Sequence, residues 1–145
     1  MLNRYKDQFT LFLELGFIAV NHADEDSAVK LLTAAEMLRP SEVLTTIGFG
    51  YLHFCKLEIE PAIKMFEKAL KKEPGNPIAK SLLGFCLALH PGDTKKGEDM
   101  LEDLKAHTKN KEIKELDNVL LGFVDEFVKK KSPPPHKHMR HHPPR

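Results

Sequence analysis

A fixed interval of 34 residues relates matching positions through most of this chain. Three glycines, Gly16, Gly50 and Gly84, are spaced by this interval. It also relates four further pairs: Leu32 and Phe66, Ala28 and Ala62, Ala35 and Ala69, and Pro40 and Pro74. Each interval holds two segments with apolar residues at helical spacing. A single helix pair cannot bury its apolar face, so the period predicts pairs stacked on one another.

Polar and proline residues mark the predicted helix ends. Asp24 is a natural N-cap for the second helix, and Asn76 followed by Pro77 predicts the start of the fifth. We expect Ser41 to cap the third helix and Pro61 to occupy the first position of the fourth. These signals place the repeats at about residues 9–40, 43–74 and 77–107.

The third repeat departs from the strict interval. The turn at residues 90–93 holds one extra residue. We therefore expect Gly97, Leu101 and Leu104 to take the positions that a small, a large and a second small residue occupy in the preceding repeat. After a polar break, residues 112–130 carry apolar side chains at helical spacing and predict a seventh helix that covers the end of the stack: Ile113, Leu116, Val119, Leu120, Phe123, Val124 and Phe127.

The last fifteen residues have a different composition. Residues 131–145 contain five of the ten prolines and show no apolar period, so we predict a disordered tail rich in proline, histidine and basic residues. Its histidines, His136, His138, His141 and His142, offer an alternative as a flexible metal chelate, which we regard as adventitious. The sequence predicts no resident metal and no cofactor.

The repeated residues resemble the tetratricopeptide repeat. In that family small residues stand where Gly16, Ala28 and Ala35 stand here, a large apolar residue falls at Leu32, and proline ends the unit. The resemblance covers roughly residues 9–107. It implies an all-α fold, a right-handed superhelix of three helix-turn-helix repeats with a C-terminal capping helix, so residues 1–130 are expected to form one helical domain.

Size and layout also resemble the type III secretion chaperones of bacteria, and among them the needle-subunit chaperones. That resemblance implies a cytoplasmic protein that holds a polymerisation-prone, helical export subunit together with a small helical co-chaperone. Two alternatives remain, a translocator-type secretion chaperone and a generic tetratricopeptide scaffold or co-chaperone in another assembly. The apolar stretch at residues 9–20 includes Glu14 and lacks a cleavage site, which favours a helix over a signal peptide.

The family analogy places a partner-binding groove along the first helix of each repeat. The expected groove residues are Leu13, Phe17, Val20, Leu44, Ile47, Tyr51, Phe54, Ile78 and Phe85. All nine are aliphatic or aromatic, which suits an amphipathic helix and not the carboxylate clamp of the co-chaperones. The alternative is that these residues belong to the core or lie under the chain's own terminal helix.

Charge and motif content argue against two other classes of function. Residues 129–145 carry six Lys or Arg and no acid, which leaves 16 basic and 21 acidic residues in the rest of the chain. A nucleic-acid footprint needs clustered cations on a folded face, so a nucleic-acid partner is not expected. His22, His53 and His90 recur at unequal spacing with no nucleophile in a recognisable motif, and no enzyme is predicted.

Overall fold

A computed structural model of the chain describes residues 7–129, and every regular element in that range is helical. The helices are α1 (Gln8–Asn21), α2 (Glu25–Leu38), α3 (Val43–Cys55), α4 (Ile59–Lys72), α5 (Pro77–Leu89), α6 (Thr94–His107) and α7 (Lys111–Phe123), and α7 continues as a π-helical segment, Val124–Lys129. We call residues 111–129 the terminal helix. The all-α prediction is confirmed, while the predicted tail, residues 131–145, lies outside the described residues.

The helices pack as three successive pairs, α1 with α2, α3 with α4, and α5 with α6. Helix α3 contacts both members of the first pair, and α5 packs on α4. The terminal helix contacts both α5 and α6. Because each pair is covered by the next, the apolar face that a lone pair would leave open is buried.

The repeated glycines lie where the two helices of a pair come closest. A Cβ atom on Gly16 would lie 2.9 Å from Leu32 Cδ2, and one on Gly50 would lie 2.6 Å from Phe66 Cε1. Leu32 and Phe66 are completely buried. The 34-residue interval therefore repeats a small-against-large contact that sets the spacing of each pair.

The third pair keeps this contact with an offset of one residue. Gly84 faces Leu101, whose Cγ would lie 3.1 Å from an added Cβ, and Leu101 is completely buried. Leu101 thus occupies against Gly84 the place that Phe66 occupies against Gly50. Gly97 is buried at the same crossing, as the extra residue in the preceding turn predicts.

The structure confirms two of the predicted helix starts and corrects two others. Asp24 accepts a hydrogen bond from Ser27 N at 3.2 Å, and Asn76 accepts one from Ala79 N at 3.0 Å. The prediction for Ser41 is wrong, since α3 begins one residue later and its N-cap makes no side-chain bond. Pro61 is the third residue of α4 and not the first. It still lies in the first turn, whose N–H groups have no partner within the helix.

The terminal helix buries a different face from the one its apolar residues predict. Its buried positions are Ile113, Asp117, Leu121 and Val124, whereas Val119, Phe123 and Phe127 are exposed. The contacts with α5 and α6 select the buried face, which includes one carboxyl group. Sequence periodicity cannot predict that choice, because apolar residues surround more than half of this helix.

Helix α1 has an apolar outer stripe formed by Leu11, Leu15 and Ile18, which are 48%, 39% and 51% exposed. In α3 and α5 the positions 34 and 68 residues later face the preceding pair, and five of the six are buried: Thr45, Phe49, Leu52, Ala79, Leu83 and Cys86, of which Phe49 is half-buried. Within the described residues, no helix precedes α1. Among residues 7–129, this stripe is therefore the uncovered end of the stack.

Candidate functional site

Six aromatic side chains form a row with two series of ring contacts, one from α1 to α3 and the other from α3 through α5 to the terminal helix. We call it the aromatic row, and its members are Phe17, Tyr51, Phe54, Phe85, Phe123 and Phe127. The ring centroids lie 5.7 Å apart for Phe17 and Tyr51 and 5.7 Å apart for Phe54 and Phe85. The row continues with Phe85 and Phe123 at 5.6 Å, and with Phe123 and Phe127 at 4.8 Å. These spacings are typical of favourable aromatic pairs.

The expected groove is narrower in the structure than in the sequence-based prediction. Four of the nine predicted residues are buried in the chain's own core: Leu13, Val20, Ile47 and Phe85. Four others are half-buried, namely Phe17, Leu44, Tyr51 and Phe54, and Ile78 is 41% exposed. The first four are therefore corrected to core residues, and the other five remain candidates for partner contact.

Each corrected residue is covered by a neighbouring helix. Leu13 packs with Phe9 and Leu32, and Val20 packs in a cluster with Ala28 and Leu52. Ile47 joins the central cluster around Phe66. Phe85 is covered from the terminal helix by Val124, so here the alternative that the chain's own last helix covers the groove applies.

Tyr51 is held in place at the middle of the row. Its hydroxyl group donates a hydrogen bond to Asn21 Oδ1 on α1 at 2.5 Å, while its ring contacts Phe17 on the same helix. Burial raises the pKa of the Tyr51 hydroxyl, with a smaller contribution from the nearby Cys55 thiol. A half-buried, hydrogen-bonded aromatic residue loses little conformational entropy on binding, which suits it to a contact site.

Charged residues are distributed very unequally between the first and second helices of the pairs. Helices α1, α3 and α5 contain only Glu14 and Lys80 as charged residues. Helices α2, α4 and α6 contain four, six and seven. A half-exposed helix face without charge is unusual for a surface in contact with water, and it favours an apolar partner.

The terminal end of this surface, on the terminal helix, is not among the groove residues predicted from the sequence. Phe123 and Phe127 are 42% and 52% exposed, and Val119 on the same side is 68% exposed. Their spacing of four residues is a visible signal, but it was attributed to the buried face of the helix. The row is thus extended beyond the three repeats, onto an element whose local π-helical geometry is common at functional positions.

The two cysteines lie in different environments, which gives a first testable prediction. Cys86 is completely buried and burial raises the pKa of its thiol to about 12, whereas Cys55 is exposed. Since the thiolate is the reactive form, a thiol-reactive dye should label one group rapidly in the native protein and the second only after unfolding. Equal, rapid labelling of both thiols under native conditions would contradict the packing of α5.

Histidines in residues 7–129 contact carboxylate groups at the protein surface. His53 Nδ1 lies 2.7 Å from Glu58 Oε1, and His90 bridges Glu60 and Asp93 at 3.1 Å and 2.9 Å. Hydrogen bonds that the His90 ring donates to Glu60 and Asp93 raise the pKa of His90. In residues 7–129 no group of three potential ligands is arranged to hold a metal ion. The tail histidines lie outside this range.

A small cavity lies at the end of α3. It measures about 110 Å³ and is lined by Val20, Asp24, Leu52 and Cys55, among others. Sites for metabolite-sized ligands usually measure about 300–1,000 Å³. The cavity is therefore too small to be a substrate site of that kind, and the extended aromatic row is the stronger candidate.

Comparison with known proteins adds no relative. No protein-family model matches the sequence, and no curated protein matches it. None of the helices in residues 7–129 combines the length and apolar character needed to cross a membrane. The geometry and chemistry of the chain itself therefore carry the proposal that follows.

Proposed function

We propose that this chain is a protein-binding chaperone of the tetratricopeptide type, and that the half-buried and exposed members of the aromatic row receive one amphipathic helix of a partner. The observation that carries the proposal is the aromatic row on first helices that are almost free of charge. A partner helix with apolar side chains at positions i, i+3, i+4 and i+7 matches such a surface.

The partner we favour is a secreted subunit that polymerises through its own amphipathic helices, as a type III secretion needle subunit does. In the cytoplasm such a subunit must be kept from assembling, and burial of its apolar face against this chain blocks the same contact. Covering a few hundred Å² of apolar surface contributes several kcal/mol, at about 25 cal/mol per Å², before the cost of association. This is enough for tight but reversible binding.

The lack of Asp, Glu, Lys and Arg on α3 favours a partner whose bound face is uncharged. A carboxylate or ammonium group placed against the row would lose its hydration and find no opposite charge on α3, which contains no Asp, Glu, Lys or Arg. The polar face of the partner helix would remain in water. The site therefore selects for amphipathic helices and disfavours acidic peptides.

Co-expression tests this function directly. The chain is produced with the small secreted helical protein encoded next to it, and the two are analysed by size-exclusion chromatography with light scattering. We expect a soluble stoichiometric complex, and polymerisation of the partner when it is produced alone. A partner that polymerises equally in both cases would contradict the chaperone function, and a scaffold in another assembly would then be the better account.

A further inference from the structure

Asp117 is a buried acidic residue at the interface between the terminal helix and α5. It has no exposed surface, and its Oδ1 accepts a hydrogen bond from Ser81 Oγ at 2.6 Å. Its Oδ2 is buried without a hydrogen-bond partner. Burying an ionised carboxyl group in this way is costly, because a single neutral donor cannot replace its hydration.

The groups around Asp117 do little to stabilise its charge. Helix α5 contributes the neutral Ser81, and the residues one turn away on the terminal helix, Ile113 and Leu121, are buried and apolar. Helix α6 contributes Lys105, the charged group that acts on it. Burial raises the pKa of Asp117, and the smaller effects of Ser81 and Lys105 lower it, so that the net direction is upward.

We propose that the terminal helix is a pH-sensitive latch on the third helix pair, which docks more tightly when Asp117 is protonated and loosens when it is ionised. The geometry supports this because Asp117 is the buried ionisable carboxyl group among the side chains that join the terminal helix to α5. The latch lies beside Phe123 and Val124, which cover Phe85 in the aromatic row.

The direction of the pH effect follows from the raised pKa. A carboxyl group that is harder to ionise when docked gives stability that is fully present below its unfolded pKa, about 3.9. That stability is lost as the pH rises through the docked-state value. Docking therefore weakens toward alkaline pH, the opposite of the usual effect of an ion-paired aspartate.

Release of the latch would uncover Phe85, which is 8% exposed in the docked state. This consequence for partner binding rests on the proposed function, whereas the latch itself does not. The experiment below uses the full chain without any partner, so a failure of the latch and a failure of the proposed function can be distinguished.

Hydrogen–deuterium exchange tests the latch. Protection factors for residues 111–123, corrected for intrinsic exchange rates, are compared between about pH 5 and about pH 8. We expect protection to fall as the pH rises in the wild-type chain, with little change in α1 and α2. In Asp117→Asn, which keeps the shape and removes the charge, the terminal helix should keep its protection at both pH values.

Two further variants keep the result interpretable. Glu115→Gln changes an exposed acid on the same helix and should behave like the wild type. Ser81→Ala removes the one donor to Asp117 and should enlarge the loss of protection at the higher pH. The proposal is overturned if protection of the wild-type terminal helix does not depend on pH, or if Asp117→Asn retains the wild-type dependence.

Discussion

Replacing Gly97 by alanine should destabilise the protein by about 2–3 kcal/mol, although alanine is favoured over glycine in a helix by about 1 kcal/mol. A Cβ atom on Gly97 would lie 2.3 Å from Ala88 N and 2.4 Å from Gly84 O. Both are backbone atoms of α5 and cannot rotate away. Urea unfolding followed by circular dichroism measures the change, which should appear as a lower midpoint at an unchanged slope.

Gly122→Ala is the matched control. Gly122 also lies within a helix, but an added Cβ atom would meet nothing within 4 Å. The same substitution should therefore stabilise the protein by about 0.5–1 kcal/mol. Opposite signs at the two positions would establish the close crossing of α5 and α6, and a stable Gly97→Ala variant would contradict it.

The double substitution Phe17→Glu with Tyr51→Glu should weaken binding of the partner by about 30-fold or more. The two rings are in contact, both are half-buried, and each new carboxylate would face an apolar helix without a counter-charge. Removing two aromatic contacts of a binding site commonly costs more than about 1 kcal/mol each. Titration calorimetry with the purified partner, or its isolated helix, measures the loss.

The control places the same two charges elsewhere. Val29 and Met37 lie on α2 and are 40% and 77% exposed, so Val29→Glu with Met37→Glu should leave binding unchanged. Both double variants should keep the helical circular-dichroism signal. If the variant on the aromatic row unfolds, Phe17 and Tyr51 are core residues and the binding surface is wrongly assigned.

Local signals in the sequence predicted the helices well. Asp24 and Asn76 cap their helices through short-range hydrogen bonds, which depend on a few neighbouring residues. The 34-residue interval indicated the contact between Gly50 and Phe66, because equivalent pairs of residues meet in the same way. The starts of α3 and α4 were misplaced, since neither helix has a side-chain cap to mark it.

The binding surface was harder to predict, because burial depends on residues far away in the chain. Helices α1 and α3 are apolar on most sides, so the sequence could not separate the core residue Ile47 from the half-exposed Tyr51 four positions later. Nor could it show that Asp117 would be buried against Ser81, 36 residues earlier. Which side chains of a helix are buried depends on how the helices pack, and the periodicity of the sequence does not determine it.

The most direct test of the account is site-specific photo-cross-linking in the complex with the secreted partner. A photoreactive phenylalanine analogue replaces Tyr51 on the aromatic row in one variant and Glu67 on the exposed face of α4 in another. We predict cross-linking to the amphipathic helix of the partner from position 51, and none from position 67. Cross-linking from position 67 but not from position 51 would contradict the claim that the aromatic row binds the partner.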